Sequence, residues 1–81
     1  MKRKVNPAKS AKVKNARGWS LEEITEGGVL LDMRENPNYP DQYLEIYYFQ
    51  GDVWVVVVAE GNPERLITAY RSRKLRKVYL P

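Results

Sequence analysis

The chain has 81 residues, a formal net charge of +4, and neither cysteine nor histidine. This length allows one hydrophobic core, and we expect a single domain over residues 1–81. The missing residue types exclude disulfides and zinc sites of the usual Cys/His kind, remove the commonest general base, and lead us to expect no metal and no cofactor. The longest apolar run, residues 53–59, is too short to cross a bilayer, and the N-terminus has positive charge but no apolar stretch typical of a signal peptide. The sequence therefore predicts a cytoplasmic protein without a membrane partner.

The charges are sorted into blocks along the chain. Residues 1–17 carry seven bases and no acid, residues 18–64 carry all ten acids and a single base, and residues 65–81 carry six bases. Two strongly basic ends therefore flank an acidic middle. Such ends can hold a phosphate backbone by displacing condensed counterions, although blocks of like charge are also often solvated surface or docking sites for acidic proteins.

The N-terminal segment predicts a short strand at residues 2–5 and a first helix. Asn6 followed by Pro7 is a strong helix start, because Asn accepts hydrogen bonds from backbone N–H groups at the cap and Pro fits the first turn. The helix is expected to run to Ala16, and Gly18 supplies its left-handed stop. Its apolar positions are small, so it buries little and presents three lysines to solvent or to a ligand: Lys9, Lys12 and Lys14.

A second, short helix is predicted after Trp19. Ser20 and Glu23 have the spacing of a capping box, in which each side chain accepts a hydrogen bond from the other residue's backbone N–H. The glycine pair Gly27–Gly28 ends this helix, since no Lys-Ser/Thr follows it as a phosphate-binding loop would require. A strand over residues 29–32 comes next.

A loop rich in Asn and Pro, residues 36–41, separates this strand from three more. They are predicted at residues 43–49, 54–59 and 65–71, and tight turns join them into an antiparallel sheet. The middle one is apolar on both faces, so it should be a central strand with helix on one side and another cover on the other.

Alternation with a period of two assigns the side chains of the outer two strands to faces. In the first, one face receives Tyr43, Glu45, Tyr47 and Phe49. In the third, Ile67 and Ala69 are expected opposite Leu66, Thr68 and Tyr70. The same alternation leaves Arg71 and Arg73 on one face if the third strand continues.

The segment after the last strand predicts a short basic helix over residues 72–80. Helical spacing aligns three apolar residues that would dock on the sheet: Leu75, Val78 and Tyr79. Arg73 and Lys74 would lie at the positive end of the helix dipole, where a bound anion would relieve their repulsion. The predicted fold class is α+β, with two N-terminal helices packed on one face of a mostly antiparallel four- to five-stranded sheet and a short C-terminal basic helix.

Several short motifs follow one another in an order that spans nearly the whole chain. They are Arg17–Ile24, the strand Gly-Val-Leu-Leu-Asp, Asn36–Pro40, two hairpin strands, Ser72-Arg73-Lys74 and Tyr79-Leu80. In order and spacing they resemble the BrnT-like toxins of bacterial type II toxin-antitoxin systems. The chain differs in lacking the aromatic first strand, the Trp-Asp pair and the first-helix His common in that family, and Tyr70 stands where a basic residue is common.

The resemblance implies a fold similar to that of the RelE ribonucleases, with residues 1–81 as one RelE/BrnT-like domain. It also implies a toxin that cleaves mRNA without metal and is neutralised by a cognate antitoxin, in the BrnT branch usually a ribbon-helix-helix DNA-binding protein. Ribosome association and homodimer formation are left open by it. Activity must still be argued from the site, because one fold serves many functions.

Metal-free RNA cleavage uses the 2′-hydroxyl as nucleophile, so the protein must take its proton, stabilise the phosphoryl oxygens and protonate the leaving oxygen. Arg71 and Arg73 suit the phosphoryl oxygens, because guanidinium groups stay charged and match their geometry. Lys74 or Tyr79 could transfer protons, since neighbouring cations lower the pKa of both side-chain types. Glu45 is the best carboxylate for a base, unless it is an ordinary exposed strand glutamate.

Further residues of the basic ends are predicted to contact RNA: Arg65, Tyr70, Arg76, Lys77, Lys9 and Lys12. The lysines would contribute only if the first helix flanks the same groove as the tail. Tyr47, Tyr48 and Trp54 fit packing within the sheet better than stacking on bases. Beside the toxin, two alternatives are a non-catalytic RNA-binding module and a protein-interaction domain whose basic ends dock an acidic partner.

Overall fold

The structure, a computed structural model, describes residues 3–80. Within that range the chain forms five strands and three helices. In order they are β1 (Lys4–Val5), α1 (Pro7–Arg17), α2 (Leu21–Gly27), β2 (Val29–Glu35), β3 (Gln42–Phe49), β4 (Asp52–Ala59), β5 (Arg65–Arg71) and α3 (Arg73–Tyr79). The predicted α+β class and the predicted order of elements are confirmed.

The strands form one sheet in the order β1-β5-β4-β3-β2. Strand β1 pairs with β5 in parallel, and every other neighbouring pair is antiparallel. The parallel pairing places Lys4, from the N-terminal basic segment, beside Arg65, the first cation of the C-terminal basic segment, at one edge of the sheet. Strand β2, from the acidic middle of the chain, forms the opposite edge.

Local signals define both ends of α1. The Asn6 side-chain oxygen accepts a hydrogen bond from the Ala8 backbone N–H at 2.9 Å, which satisfies one donor of the first turn. Gly18 has φ of 90°, and its N–H donates to the Lys14 carbonyl oxygen, so the helix stops where only glycine adopts the backbone easily. The predicted start and stop are confirmed.

The capping box at the start of α2 is also confirmed. The Ser20 hydroxyl accepts from the Glu23 N–H at 3.1 Å, and the Glu23 carboxylate accepts from the Ser20 N–H at 3.0 Å. The helix ends at Gly27, and Gly28 follows in an extended conformation. A Cβ at Gly28 would clash with the Ile24 carbonyl oxygen, so only glycine allows this close exit toward β2.

Two separate cores lie on the two faces of the sheet. The larger, covered by α1 and α2, contains Val13, Leu21, Ile24, Tyr47, Phe49, Trp54, Val56, Val58, Leu66 and Ala69. The smaller contains Ile46, Val53 and Val55, packed by Leu44, Leu75, Tyr79 and Leu80. Helix α3 therefore covers the face opposite α1 and α2, and it is the second cover that the sequence predicts for the central strand. This central strand is β4, whose side chains need cover on both faces.

The expected alternation in β5 is wrong. Thr68 pairs with Val57 and Leu66 pairs with Val58, so Ile67 is an extra residue in the ladder. This bulge turns Leu66 and Ala69 toward the same core, although they are three positions apart. Alternation predicts faces only along an unbroken ladder.

Some of the remaining expectations on packing are confirmed, and others are wrong. Trp54 is fully buried and Tyr47 nearly so, which agrees with packing rather than base stacking, whereas Tyr48 is exposed. Leu75 and Tyr79 dock on the smaller core as predicted, but Val78 is 59% exposed. Across residues 3–80, no helix combines the length and the apolar character needed to cross a membrane.

Candidate nucleic-acid interface

The sheet edge at which β1 pairs with β5 contains a groove between α1 and β5. Strand β1 pairs only with Arg65 and Leu66, so within the described part of the chain the rest of the outer edge of β5 has no partner strand. Helix α1 packs beside that edge through Val13. The result is an open channel with a helix along one side and a strand edge along the other.

Two adjoining hollows make up this channel, with volumes of about 280 Å³ and about 330 Å³. They share Lys9 and Ile67 in their linings, so they form one continuous surface, here termed the α1–β5 groove. Five cations line it: Lys4, Lys9, Lys12, Arg17 and Arg65. Neither lining includes an acidic residue.

Within residues 3–80, the cations of the groove have no carboxylate partner. None of the five lies within 4.0 Å of a carboxylate oxygen of residues 3–80. Lys14, on the same helix, differs because its ammonium lies 3.2 Å from the Glu23 carboxylate and so turns toward α2. The groove thus presents uncompensated positive charge in a concave surface, which concentrates the attraction for a polyanion.

Arg71 connects the α1–β5 groove, at its Arg17 end, with the segment where β5 ends and α3 begins. This segment, from Arg71 through α3 to Lys77, is here termed the β5–α3 junction. Its guanidinium donates to the Arg17 carbonyl oxygen at 3.1 Å and lies 3.3 Å from the Asp52 carboxylate. The same guanidinium stacks 4.5 Å from the ring centroid of Trp54, which is fully buried. Arg71 is therefore anchored on three sides and covers part of the core.

The β5–α3 junction holds the other predicted arginines. Asp52 is shared, because Arg76 also approaches it at 3.4 Å. Strand β5 ends at Arg71 and α3 begins at Arg73, so these two arginines do not lie on one face of a continuous strand. Arg73, Lys74 and Lys77 are exposed, and the Ser72 hydroxyl caps α3 by accepting from the Leu75 N–H at 3.1 Å.

Tyr79 is engaged at the far end of α3. Its hydroxyl donates to the Asp32 carboxylate at 2.6 Å and accepts from the Arg34 guanidinium at 2.9 Å. The hydrogen bond from Tyr79 and that from the Met33 N–H hold the pKa of Asp32 below its usual value. Tyr79 therefore fastens α3 to β2.

Glu45 is neither an exposed strand residue nor close to the tail. It is 5% exposed, lies 2.7 Å from the Arg3 guanidinium and accepts from the Tyr47 hydroxyl at 2.9 Å. Burial opposes protonation of Arg3, but the hydrogen bonds that its guanidinium donates to Tyr47 and Glu45 raise its pKa above the usual value. Glu45 shares the α1/α2 face with Tyr47, so the sheet separates it from α3.

The predicted site residues thus fall into separate places. The structure does not bring Glu45 together with Arg73, Lys74 and Tyr79. Of the predicted RNA contacts, Lys9, Lys12 and Arg65 line the groove, whereas Arg76 and Lys77 lie on α3. Tyr70 pairs with Val55, whose side chain belongs to the α3-side core, so its ring points away from the α1/α2 face.

Two groove cations, Lys4 and Arg17, are not among the residues predicted from the sequence. Arg17 lies just over two helical turns after Lys9, so helical spacing carried that signal. Lys4 reaches the groove only because β1 pairs with β5 in parallel, and no local pattern contains that pairing.

Comparison of the chain with protein-family models, with curated proteins and with solved structures finds no match in any of the three.

Proposed function

We propose that this protein binds RNA along the α1–β5 groove. The observation that carries the proposal is a line of five cations with no acid among the residues that line the groove. Cations without internal partners release condensed counterions from a nucleic acid without first losing an ion pair of their own. A cytoplasmic location is part of the same proposal, since RNA is the ligand.

The dimensions and lining of the groove favour contact with the sugar-phosphate backbone. From Lys9 to Arg17 the helix rises about 12 Å, which is long enough for several phosphates of a stacked strand. Tyr70 points to the other face, so stacking on bases from this side contributes little. Backbone contacts position a nucleic acid without reading its sequence, and we therefore expect weak sequence preference.

Fluorescence anisotropy with a labelled single-stranded RNA at several salt concentrations tests this proposal. Replacing Lys9 and Lys12 together by alanine should weaken binding and reduce the salt slope by about 1.4, because each phosphate contact on a single strand contributes about 0.7. Lys14→Ala is the matched control on the same helix, since Lys14 is paired with Glu23. Equal losses in the double variant and the control would exclude the groove as the binding site.

A second candidate is an endoribonuclease toxin that is neutralised by a cognate antitoxin. It is favoured by the contact between Arg71 and the Arg17 carbonyl, which joins the groove to the junction where Arg73 and Lys74 are exposed. RNA lying in the groove would be led to these two cations. Arg73 could stabilise the phosphoryl oxygens, while Lys74 could take the proton of the attacking 2′-hydroxyl and return it to the leaving 5′-oxygen. Glu45 has no part in this version, because its carboxylate is held by Arg3 and Tyr47.

Induced expression in a bacterial host separates the two candidates. The wild-type chain should stop growth and fragment cellular RNA, and the Arg73→Ala, Lys74→Ala variant should do neither while keeping its RNA affinity within a fewfold of wild type. Lys77→Ala, an exposed cation further along α3, is the control. Arg71 is a poor probe, because it also covers Trp54. Normal growth with wild-type protein would contradict the toxin and leave the binding function.

A further inference from the structure

The other edge of the sheet, strand β2, is exposed along its whole length. All seven residues of Val29–Glu35 are exposed, and within residues 3–80 only β3 lies beside this strand. Its exposed apolar side chains are Val29, Leu30, Leu31 and Met33. Met33 is 54% exposed, which is high for a residue in the regular part of a strand. An edge that combines unpaired backbone groups with apolar side chains is a template for another strand.

The symmetry of a strand pair limits how two copies could meet at this edge. A two-fold axis perpendicular to the sheet joins two antiparallel copies of one strand and keeps the faces of both copies aligned. Residues paired across the strands point to the same face, and successive residues of one strand point to opposite faces. Paired residues must therefore have the same parity in the chain, which places the axis at a residue and never between two residues.

Among the regular residues of β2, one position of the axis matches opposite charges. A bulge at Leu31 leaves Asp32–Glu35 as the regular stretch. An axis at any of the three charged residues of this stretch would set that residue against its own copy, and like charges directly opposite are unfavourable. An axis at Met33 sets Met33 against Met33, and it places Asp32 of each copy opposite Arg34 of the other.

The charged side chains of this register are already ordered. Tyr79 binds the Asp32 carboxylate at 2.6 Å and the Arg34 guanidinium at 2.9 Å, so both side chains are held on the α3 face of β2. Arg34 also lies 3.8 Å from Asp32 of its own copy, so the pairs across the axis add to an ion pair that each copy already contains. Groups that are fixed before association lose less side-chain entropy when they pair. On the other face, the two Met33 side chains would leave water together.

We propose that two copies of this protein associate through antiparallel pairing of β2 about an axis at Met33. The two five-stranded sheets become one continuous sheet, and the β2 edges no longer face solvent. At the axis, the Met33 N–H would exchange its hydrogen bond to the Asp32 side chain for the partner strand. The β5 edges then lie at the two ends of the assembly, so each dimer presents two α1–β5 grooves. This association does not depend on what the grooves bind.

Engineered thiols test the register, because the chain contains no cysteine. Met33→Cys places two thiols across the axis, where directly paired Cβ atoms are about 4.5–5.5 Å apart, and mild oxidation should link most of the protein as a disulfide dimer. Leu30→Cys is the matched control on the same strand. In the proposed register its two copies are offset by six residues, about 20 Å, so it should not form the link.

Light scattering on the wild-type chain completes the test. The mass should be twice the 9.5 kDa of one chain, and Met33→Arg should give the mass of a single chain with an unchanged circular-dichroism spectrum. Two results would overturn the proposal. One is a wild-type monomer at every concentration, which would leave the edge to a strand of another protein; the other is linkage through Leu30→Cys as complete as that through Met33→Cys, which would mean a different register.

Discussion

The α1–β5 groove and the β5–α3 junction are both rich in Lys and Arg, but their cations stand in different surroundings. In the groove, five cations have no carboxylate of residues 3–80 within 4.0 Å. At the junction, Arg71 and Arg76 share Asp52, and Arg71 also covers Trp54. A cation that already has a partner gains less from a phosphate, because it gives up one interaction for another. A count of basic residues therefore overestimates the contribution of the junction to RNA binding and underestimates that of the groove.

Reversing the charge of basic residues should produce the largest difference in RNA affinity between the groove and the junction. Replacing Lys9 and Lys12 together by glutamate should weaken single-stranded RNA binding by about 100-fold at low salt, because two attractive charges become repulsive within the groove. Arg76→Glu should cost less than about tenfold, since Arg76 is paired with Asp52 in the free protein. Anisotropy titrations at matched salt measure both. A larger loss from the Arg76 variant would reverse the ranking of the two surfaces.

Protein stability should respond in the opposite way. Arg71→Ala should lower the free energy of unfolding by about 2 kcal/mol, because it removes a hydrogen bond to the Arg17 carbonyl, an ion pair and a stacked cation on Trp54. Arg73→Ala should change it by less than about 0.5 kcal/mol, as for an exposed surface residue. Urea denaturation followed by circular dichroism gives both values. Equal effects would show that the anchoring of Arg71 has no energetic importance.

Releasing the paired arginines should make the junction more like the groove. Asp52→Asn removes the carboxylate that Arg71 and Arg76 share, and we expect RNA to bind about threefold tighter, with a steeper dependence on salt, because more cations can then meet phosphates. The matched control is Asp41→Asn, which removes an exposed acid from the loop before β3. The same gain from both variants would reflect net charge alone.

The smallest expected effect is acid sensitivity confined to α3. The pKa of Asp32 is lowered by hydrogen bonds from Tyr79 and the Met33 N–H. A lowered folded-state pKa means that this stabilisation is present above the unfolded value of about 3.9 and is lost as the pH falls through the folded value. Hydrogen exchange should therefore quicken in α3 relative to α1 below about pH 4. Tyr79→Phe should reduce that difference, and an unchanged difference would mean that another contact holds α3.

Local elements were predictable because their causes lie within a few residues. The cap at Asn6, the stop at Gly18 and the Ser20 capping box each depend on side chains that bond to backbone groups close by in the chain. Strand β4 was recognisable as central from its apolar residues alone. Such short-range signals also gave the order of the elements and hence the α+β class.

The candidate site was predictable only in part. Lys9, Lys12 and Arg65 lie in segments that the sequence shows to be basic, but nothing local shows that α1 lies beside β5, since Arg65 is more than fifty positions from both lysines. Lys14 is a lysine of the same helix as Lys9, but its ammonium is paired with the Glu23 carboxylate, and only the fold shows this difference. The place of Glu45 was missed for the same reason, because its partner Arg3 is distant in the chain.

The sequence by itself determined the helix ends, the turns, the central strand and the sorting of charge into two basic ends and an acidic middle. These follow from backbone hydrogen bonding and side-chain periodicity, which act over one or two turns of chain. Only the tertiary structure decided that Lys4 and Arg65 meet at one sheet edge, that a bulge at Ile67 turns Leu66 and Ala69 to one core, and that Asp52 pairs with both Arg71 and Arg76. Those outcomes depend on contacts between residues that are distant in the chain, above all on the pairing and register of strands. No short segment of the sequence contains a pattern that predicts them.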